Sequence, residues 1–167
     1  MTFAVDAVKA WLSQYREDDK ELDEQYERLE KLRVKMYGLG AQVITDMPVV
    51  HGGTNDRLTD LIAKKEEIDT SMKRLAMKHL QDRENIEKVV SELKSAEEKA
   101  IIRLRYVDAL RWEDVNQVIF GKKDDFCGKE DSYLRRVFLT HGNALTGIVD
   151  LMQLDKYREL AEHIFRV

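Results

Sequence analysis

Cysteine and proline are almost absent from this chain, at one residue each. Cys127 has no partner for an internal disulfide, which excludes the covalent staples of small secreted domains. With Pro48 as the lone proline, long stretches can stay helical without the steric break its ring imposes. Long apolar runs are missing too: no window approaches the roughly 20 residues a membrane-crossing helix needs. The N-terminus shows no basic region followed by a continuous apolar run, because Asp6 and Lys9 interrupt it, so no signal peptide is expected. The expectation is a soluble, cytoplasmic protein without membrane contact.

Excess positive charge is also lacking. Lys and Arg number 28 against 32 Asp and Glu, a net charge of −4, which argues against a protein coated in basic charge for non-specific nucleic-acid binding. Any DNA contact has to come from a local patch. His51, His79, His141 and His163 are widely separated and Cys127 has no CxxC partner, whereas zinc needs several ligands at closer spacing. No glycine-rich loop follows a strand. The acidic residues fall on solvated helix faces, where paired carboxylates are charge patterning. No enzyme, no cofactor and no metal are expected.

What the chain has is charge, at 36% of residues, a composition that favours long exposed helices over a compact α/β core. From Thr2 to Met36 a seam runs in steps of three and four through Val5, Val8, Leu12, Tyr15, Asp19, Leu22, Tyr26, Leu29, Arg33 and Met36. A mean period of 3.5 marks helices packed side by side as in a coiled coil. Between Gly38 and Asn55 the pattern stops, in a stretch that holds Pro48 and four of the eight glycines. Thr54 or Asn55 is placed to cap a second helix, with a seam of Leu58, Leu61, Lys65, Ile68, Met72, Leu75, His79, Asp82, Ile86, Val89 and Leu93. Each seam is on the order of 50 Å long at about 1.5 Å per residue. Folding one helix back on the other buries both, so an antiparallel, coiled-coil-like hairpin is the simplest arrangement. A dimeric coiled coil is the alternative, and a homodimer is compatible with either. His79 and Asp82 mark either a helix break or a polar stretch within one continuous helix.

From Ser95 the layout changes to helix, short break, helix, loop, helix. Ser95 three residues before Glu98 makes a capping box, and the helix it opens should reach Val107 with Ala100, Ile101, Leu104 and Val107 as its apolar positions. Asp108 and Ala109 fit a turn. The next helix, Trp112–Phe120, should pack Trp112, Val115, Val118 and Ile119 inward, with Gly121 as its stop. After the loop GKKDDFCGKE, Asp131 or Ser132 should cap a third helix whose core face is Leu134, Val137, Phe138, Ala144 and Leu145. Ser132, Arg135, Arg136, Leu139, Thr140 and Asn143 then fall on the other side. Arginine, threonine and asparagine suit base edges and phosphates, and Lys122, Lys123 and Lys129 in the loop suit backbone phosphates. The layout is that of a helix-turn-helix. Against DNA reading stands the charge: from Ala96 to Leu145 the basic and acidic residues balance one for one, so a plain helical bundle fits equally. Beyond Leu145, Ile148, Leu151, Met152, Leu154, Leu160, Ile164 and Phe165 form one or two further amphipathic helices, either completing the core or making a dimer contact.

The run IIRLRYVDALRWEDV is similar to the opening of sigma-factor region four, where a helix ending in LRY precedes a small turn and a W-E-x-[IV] helix. SYLRRVFLTHGNAL resembles the recognition helix of that module's phage relatives, the RinA-type and ArpU-type late-gene transcriptional regulators of Gram-positive phages and prophages. MPVVHGGTNDRLTDLIAKKEEID looks like their proline-glycine link before an acidic-basic helix. The resemblance covers roughly Met47 to Leu145. The two seams lead to an all-α helical hairpin over 1–94 for scaffolding or dimerisation, upstream of what the resemblance implies. Over 95–167 it implies a sigma-region-four-like helix-turn-helix domain with a C-terminal helix. It also implies a transcriptional regulator, an activator by preference, that docks on promoter DNA with host RNA polymerase, with Arg135, Arg136, Thr140 and their neighbours Ser132, Tyr133 and Asn143 as contacts. A small terminase subunit of a phage, or a helical adaptor that does not touch DNA, shares the same layout. Three departures stand out: Arg111 occupies the usual Ser/Thr cap position, the loop before the third helix is extended, and Gly142 sits inside that helix at a cost of roughly 1 kcal/mol relative to alanine.

Overall fold

A computed structural model describes residues 2–42 and 54–166. The expected Pro48 loop lies outside these residues, as do the side chains of Thr54 and Asn55. Among the described residues all regular structure is helical. Helix α1 runs Thr2–Gln42, through Gly38 and past the expected end at Met36, and α2 runs Thr54–Ser91. Helix α3 (Ala96–Ile102) widens into a π turn over Arg103–Val107, followed by α4 (Trp112–Phe120), α5 (Glu130–Met152), a 3₁₀ turn at Asp155–Tyr157 and α6 (Arg158–Phe165). The chain divides into two compact units, Met1–Glu17 with Gln81–Val167, and Asp18–Leu80. The division falls inside the two long helices and not at residue 94, because the N-terminal turns of α1 and the last turns of α2 belong to the core that the shorter helices complete.

That core has two apolar clusters. In the first, Val8, Leu12 and Tyr15 of α1 meet Ile86, Val89 and Val90 of α2, Leu93 just after it, Ile102 of α3 and Tyr106 of the π turn, the Ala144–Met152 end of α5, and Tyr157 and Ile164. The second gathers Ile101, Val115, Phe120, Phe126 and Val137. Adjacent residues of α3, Ile101 and Ile102, face different clusters, so this helix is the wall between them. The tail residues Leu151, Leu160 and Phe165 pack on the first cluster. Completing the core is therefore the role the structure gives the tail, though Leu154 stays exposed.

In unit Asp18–Leu80, Lys78 Nζ donates to the buried Asp18 carboxylate at 2.5 Å, and His79 Nε2 lies 3.4 Å from Asp19 Oδ1. Every expected seam position of α2 is buried or half-buried, and the helix runs unbroken through His79 and Asp82. On α1 the anchors Tyr15, Leu22, Leu29 and Met36 hold, but the residues between them are Asp18, Gln25 and Leu32, not Asp19, Tyr26 and Arg33. Leu32 takes the inward place beside Arg33, whose guanidinium turns outward to Glu30. Tyr26 is left 56% exposed. A seam read from spacing alone does not choose between neighbours one residue apart. Apolar area at Leu32 and the Lys78 partner at Asp18 decide it.

Several local expectations need correction. The Ser95 hydroxyl accepts from Glu98 N–H as a capping box requires, but neither Asp131 nor Ser132 caps α5. That helix starts at Glu130, after Lys129. Val118 and Phe138 are exposed, and Phe120 takes the inward position on α4. Gly121 ends α4 in right-handed geometry, where a Cβ would overlap the Gln117 carbonyl, so space and not a left-handed turn selects glycine there. Among the described non-glycine residues, Ala109, at φ 55 in the turn before α4, is the left-handed one. Helix α5 continues straight through Gly142 for three more turns.

His141, 8% exposed, is the polar member of the α5 core face. Its Nε2 is 3.0 Å from Tyr106 Oη, and Trp112 meets its ring edge-on. Burial, with Lys9 and Arg105 nearby, lowers its pKa to about 4. The folded protein therefore holds His141 neutral where the unfolded chain protonates it. The stability this gives is complete above pH about 6.5 and is lost as pH falls towards 4. Urea unfolding at pH 7.5 and pH 5 should show the wild type losing about 2 kcal/mol more than His141→Gln between the two. Equal losses would show that His141 is not held neutral.

Candidate nucleic-acid interface

Helix α5 packs against both α3 and α4, and its buried row Val137, His141, Ala144, Leu145 and Ile148 determines what faces out. Ser132, Arg135, Leu139 and Asn143, at spacings of three and four, form the opposite exposed row. Thr140 lies half-buried at its edge. The start of α5 is held by a residue that the sequence reading passed over. Buried Asn116 of α4 donates from Nδ2 to the Glu130 carbonyl at 3.1 Å, tying the first turn of α5 to α4. An asparagine among the apolar residues of a short helix was the available signal.

The loop between α4 and α5 is built as a chain of turns. Lys123 N–H donates to Phe120 O, Phe126 N–H to Lys123 O, and Lys129 N–H to Phe126 O. Phe126 is its apolar anchor, buried against the ring of Tyr133 at 5.8 Å. Tyr133 also stacks on Phe120 at 4.9 Å and donates its hydroxyl to Asp125 Oδ1 at 2.6 Å. Gly128, at φ 94, turns the chain where a side chain would be strained, and its N–H donates to Glu130 Oε2.

These contacts divide the nine sequence-derived site residues. Tyr133 is committed to the loop and stands as packing. Lys129 is committed as well, its ammonium 2.8 Å from Asp125 Oδ2. Arg136 sits 2.9 Å from Glu97 Oε2 of α3, with its guanidinium 4.9 Å from the centre of the Phe120 ring. Lys122, Lys123 and Arg135 are exposed and, among the described residues, make no side-chain ion pair or hydrogen bond. Ser132 and Asn143 are exposed on the same row. Beside them, Arg136 and Lys123 border a groove of about 800 Å³ over Ala100, Leu104, Val118 and Phe120.

The electrostatics are mixed. Glu130 and Asp131 occupy the first turn of α5, where they favour the helix dipole but repel a phosphate. Asp125 is pulled down to about pKa 2 by Lys129 first and by the Tyr133 hydroxyl second, so it remains a carboxylate at any ordinary pH. Arg111, the uncapped start of α4, instead reaches forward to Asp114 at 3.0 Å. Among the described residues no group of His, Cys, Asp and Glu is placed to hold a metal ion, and no helix is long and apolar enough to cross a membrane.

The Asp125 clamp is open to direct measurement. Carboxyl titration by NMR should show Asp125 moving upward in Lys129→Ala, and upward by less in Tyr133→Phe; an unchanged Asp125 in both would mean the loop is held some other way. No protein-family model, no curated protein and no solved structure matches this chain.

Proposed function

We propose that the chain is a sequence-specific DNA-binding transcriptional regulator, an activator of phage or prophage genes that works at promoters with host RNA polymerase in the bacterial cytoplasm. In this reading α1 and α2 form an antiparallel hairpin, α4 and α5 form the helix-turn-helix, and α5 enters the major groove with α3 behind it. The observation that carries the reading is the outward row of α5: Arg135 without a partner among the described residues, flanked by Ser132 and Asn143, on a helix whose opposite row is buried. Lys122 and Lys123, in the loop that leads to α5, supply phosphate contacts. The motifs similar to sigma-factor region four fall on α3, α4 and α5.

Arg136 joins the contact set by exchange. The arginine of its pair with Glu97 is 55% accessible and the glutamate 25%, and such a partly exposed pair is worth on the order of 1 kcal/mol. A bidentate arginine–guanine contact is worth about 1–3 kcal/mol, enough to draw Arg136 from Glu97. Charge balance limits the rest. Non-specific affinity is weak, so recognition depends on base contacts from α5 and on a second site or polymerase contact.

Sequencing of DNA fragments recovered with the wild type and with Arg135→Ala/Arg136→Ala tests the assignment. The wild type should enrich a site upstream of a late operon, and the double variant should lose it, with Arg135→Ala alone weakening binding by roughly ten- to a hundred-fold. Identical recovery by both proteins, or none by either, contradicts the reading. Recovery of a packaging site by a ring of many copies would indicate a terminase subunit instead.

A further inference from the structure

Helix α1 carries a charge pattern that the DNA reading does not use. Glu21, Glu24, Arg28 and Lys31 follow one another at spacings of three, four and three along one continuous helix, so they form a single stripe, acidic in its first half and basic in its second. In the sequence the series extends one step each way, to Glu17 and Lys35. All four residues are exposed. Only Lys31 has a described ion pair, 3.7 Å from Glu27, with both side chains over 70% accessible.

The basic half borders a groove of about 430 Å³ in unit Asp18–Leu80. Its walls carry Arg28, Lys31, Lys35 and Lys64 against a single carboxylate, Glu67, and its floor includes Leu32 and Ile68. A groove with four cations and an apolar floor fits an acidic helix. The acidic half of the same stripe is such a segment, but it cannot reach the basic half of its own helix.

We infer that this face binds the same face of a second copy, with the two α1 helices antiparallel about a two-fold axis near residue 26. In that register Glu21 of each copy meets Lys31 of the other, and Glu24 meets Arg28, so every contact occurs twice, as an isologous interface requires. The parallel, in-register arrangement sets glutamate on glutamate and lysine on lysine, and the pattern excludes it. The two-fold pairing also puts the acidic half of each α1 over the basic groove of the other copy. Charge fixes the register, and burial of Leu32 and Ile68 supplies the attraction. The inference does not depend on the DNA reading.

Sedimentation of the full chain tests it with three charge variants, each checked for helicity by circular dichroism. The wild type should dimerise at low salt and weaken as salt is raised. Glu21→Lys/Glu24→Lys has an all-basic stripe and Arg28→Glu/Lys31→Glu an all-acidic one. Each alone should dimerise roughly a hundred-fold more weakly or not at all, while their mixture should form a heterodimer. The quadruple swap, which exchanges both halves, should regain the homodimer. A wild type that remains monomeric overturns the proposal, including one whose groove takes DNA or an acidic protein instead. Single-stripe variants that still self-associate, or a mixture and quadruple swap that both stay monomeric while helical, overturn it equally.

Discussion

Burial of one row of α5 is the constraint on which the rest of the structure depends. Val137 enters the cluster of α3, α4 and the loop, while Ala144, Leu145 and Ile148 enter the cluster that holds the ends of α1 and α2. One helix thus fastens both apolar clusters, with α3 between them. His141 sits where the two meet, and its bond to Tyr106 is what lets a polar ring occupy that place. Because this row is committed inward, helical geometry leaves Arg135 and Asn143 no place but the surface.

The exposed row is presented by a rigid support. Asn116 holds the first turn of α5 to α4, and Phe126 with Tyr133 packs a loop that its composition marks as polar. Positioning of this kind matters for a site with few cations, since base contacts need correct placement where phosphate attraction is weak. The same loop engages the Tyr133 hydroxyl and the exposed Lys129 ammonium, both used on Asp125.

Much of the fold was legible in sequence. The three-four spacing identified both long helices, and the capping box at Ser95 located the start of α3. The phase of the α2 seam was readable, although Val90 is buried beside Val89 and Ile62, next to Leu61, stays exposed. On α1 the reading slipped at Asp19, Tyr26 and Arg33, since the inward Asp18 is determined by Lys78, sixty residues away in the chain, and no local pattern contains that partner. The outward row of α5 was legible because it is a matter of period. The ion pairs of Arg136 and Lys129 were not, as each depends on where a tertiary neighbour or loop turn brings a carboxylate.

If the proposed interface is correct, DNA affinity has a small, countable electrostatic part. In that reading Lys122 and Lys123, without a partner among the described residues, meet phosphates, while Arg135 and Arg136 meet bases. The direct measurement is DNA affinity of the wild type as a function of salt concentration. With the two phosphates assigned to Lys122 and Lys123 neutralised per chain, the slope of log K against log salt should be roughly −2 for each bound chain. A slope near zero, or no measurable affinity at low salt, would contradict the account and leave a helical protein whose α5 surface serves another partner.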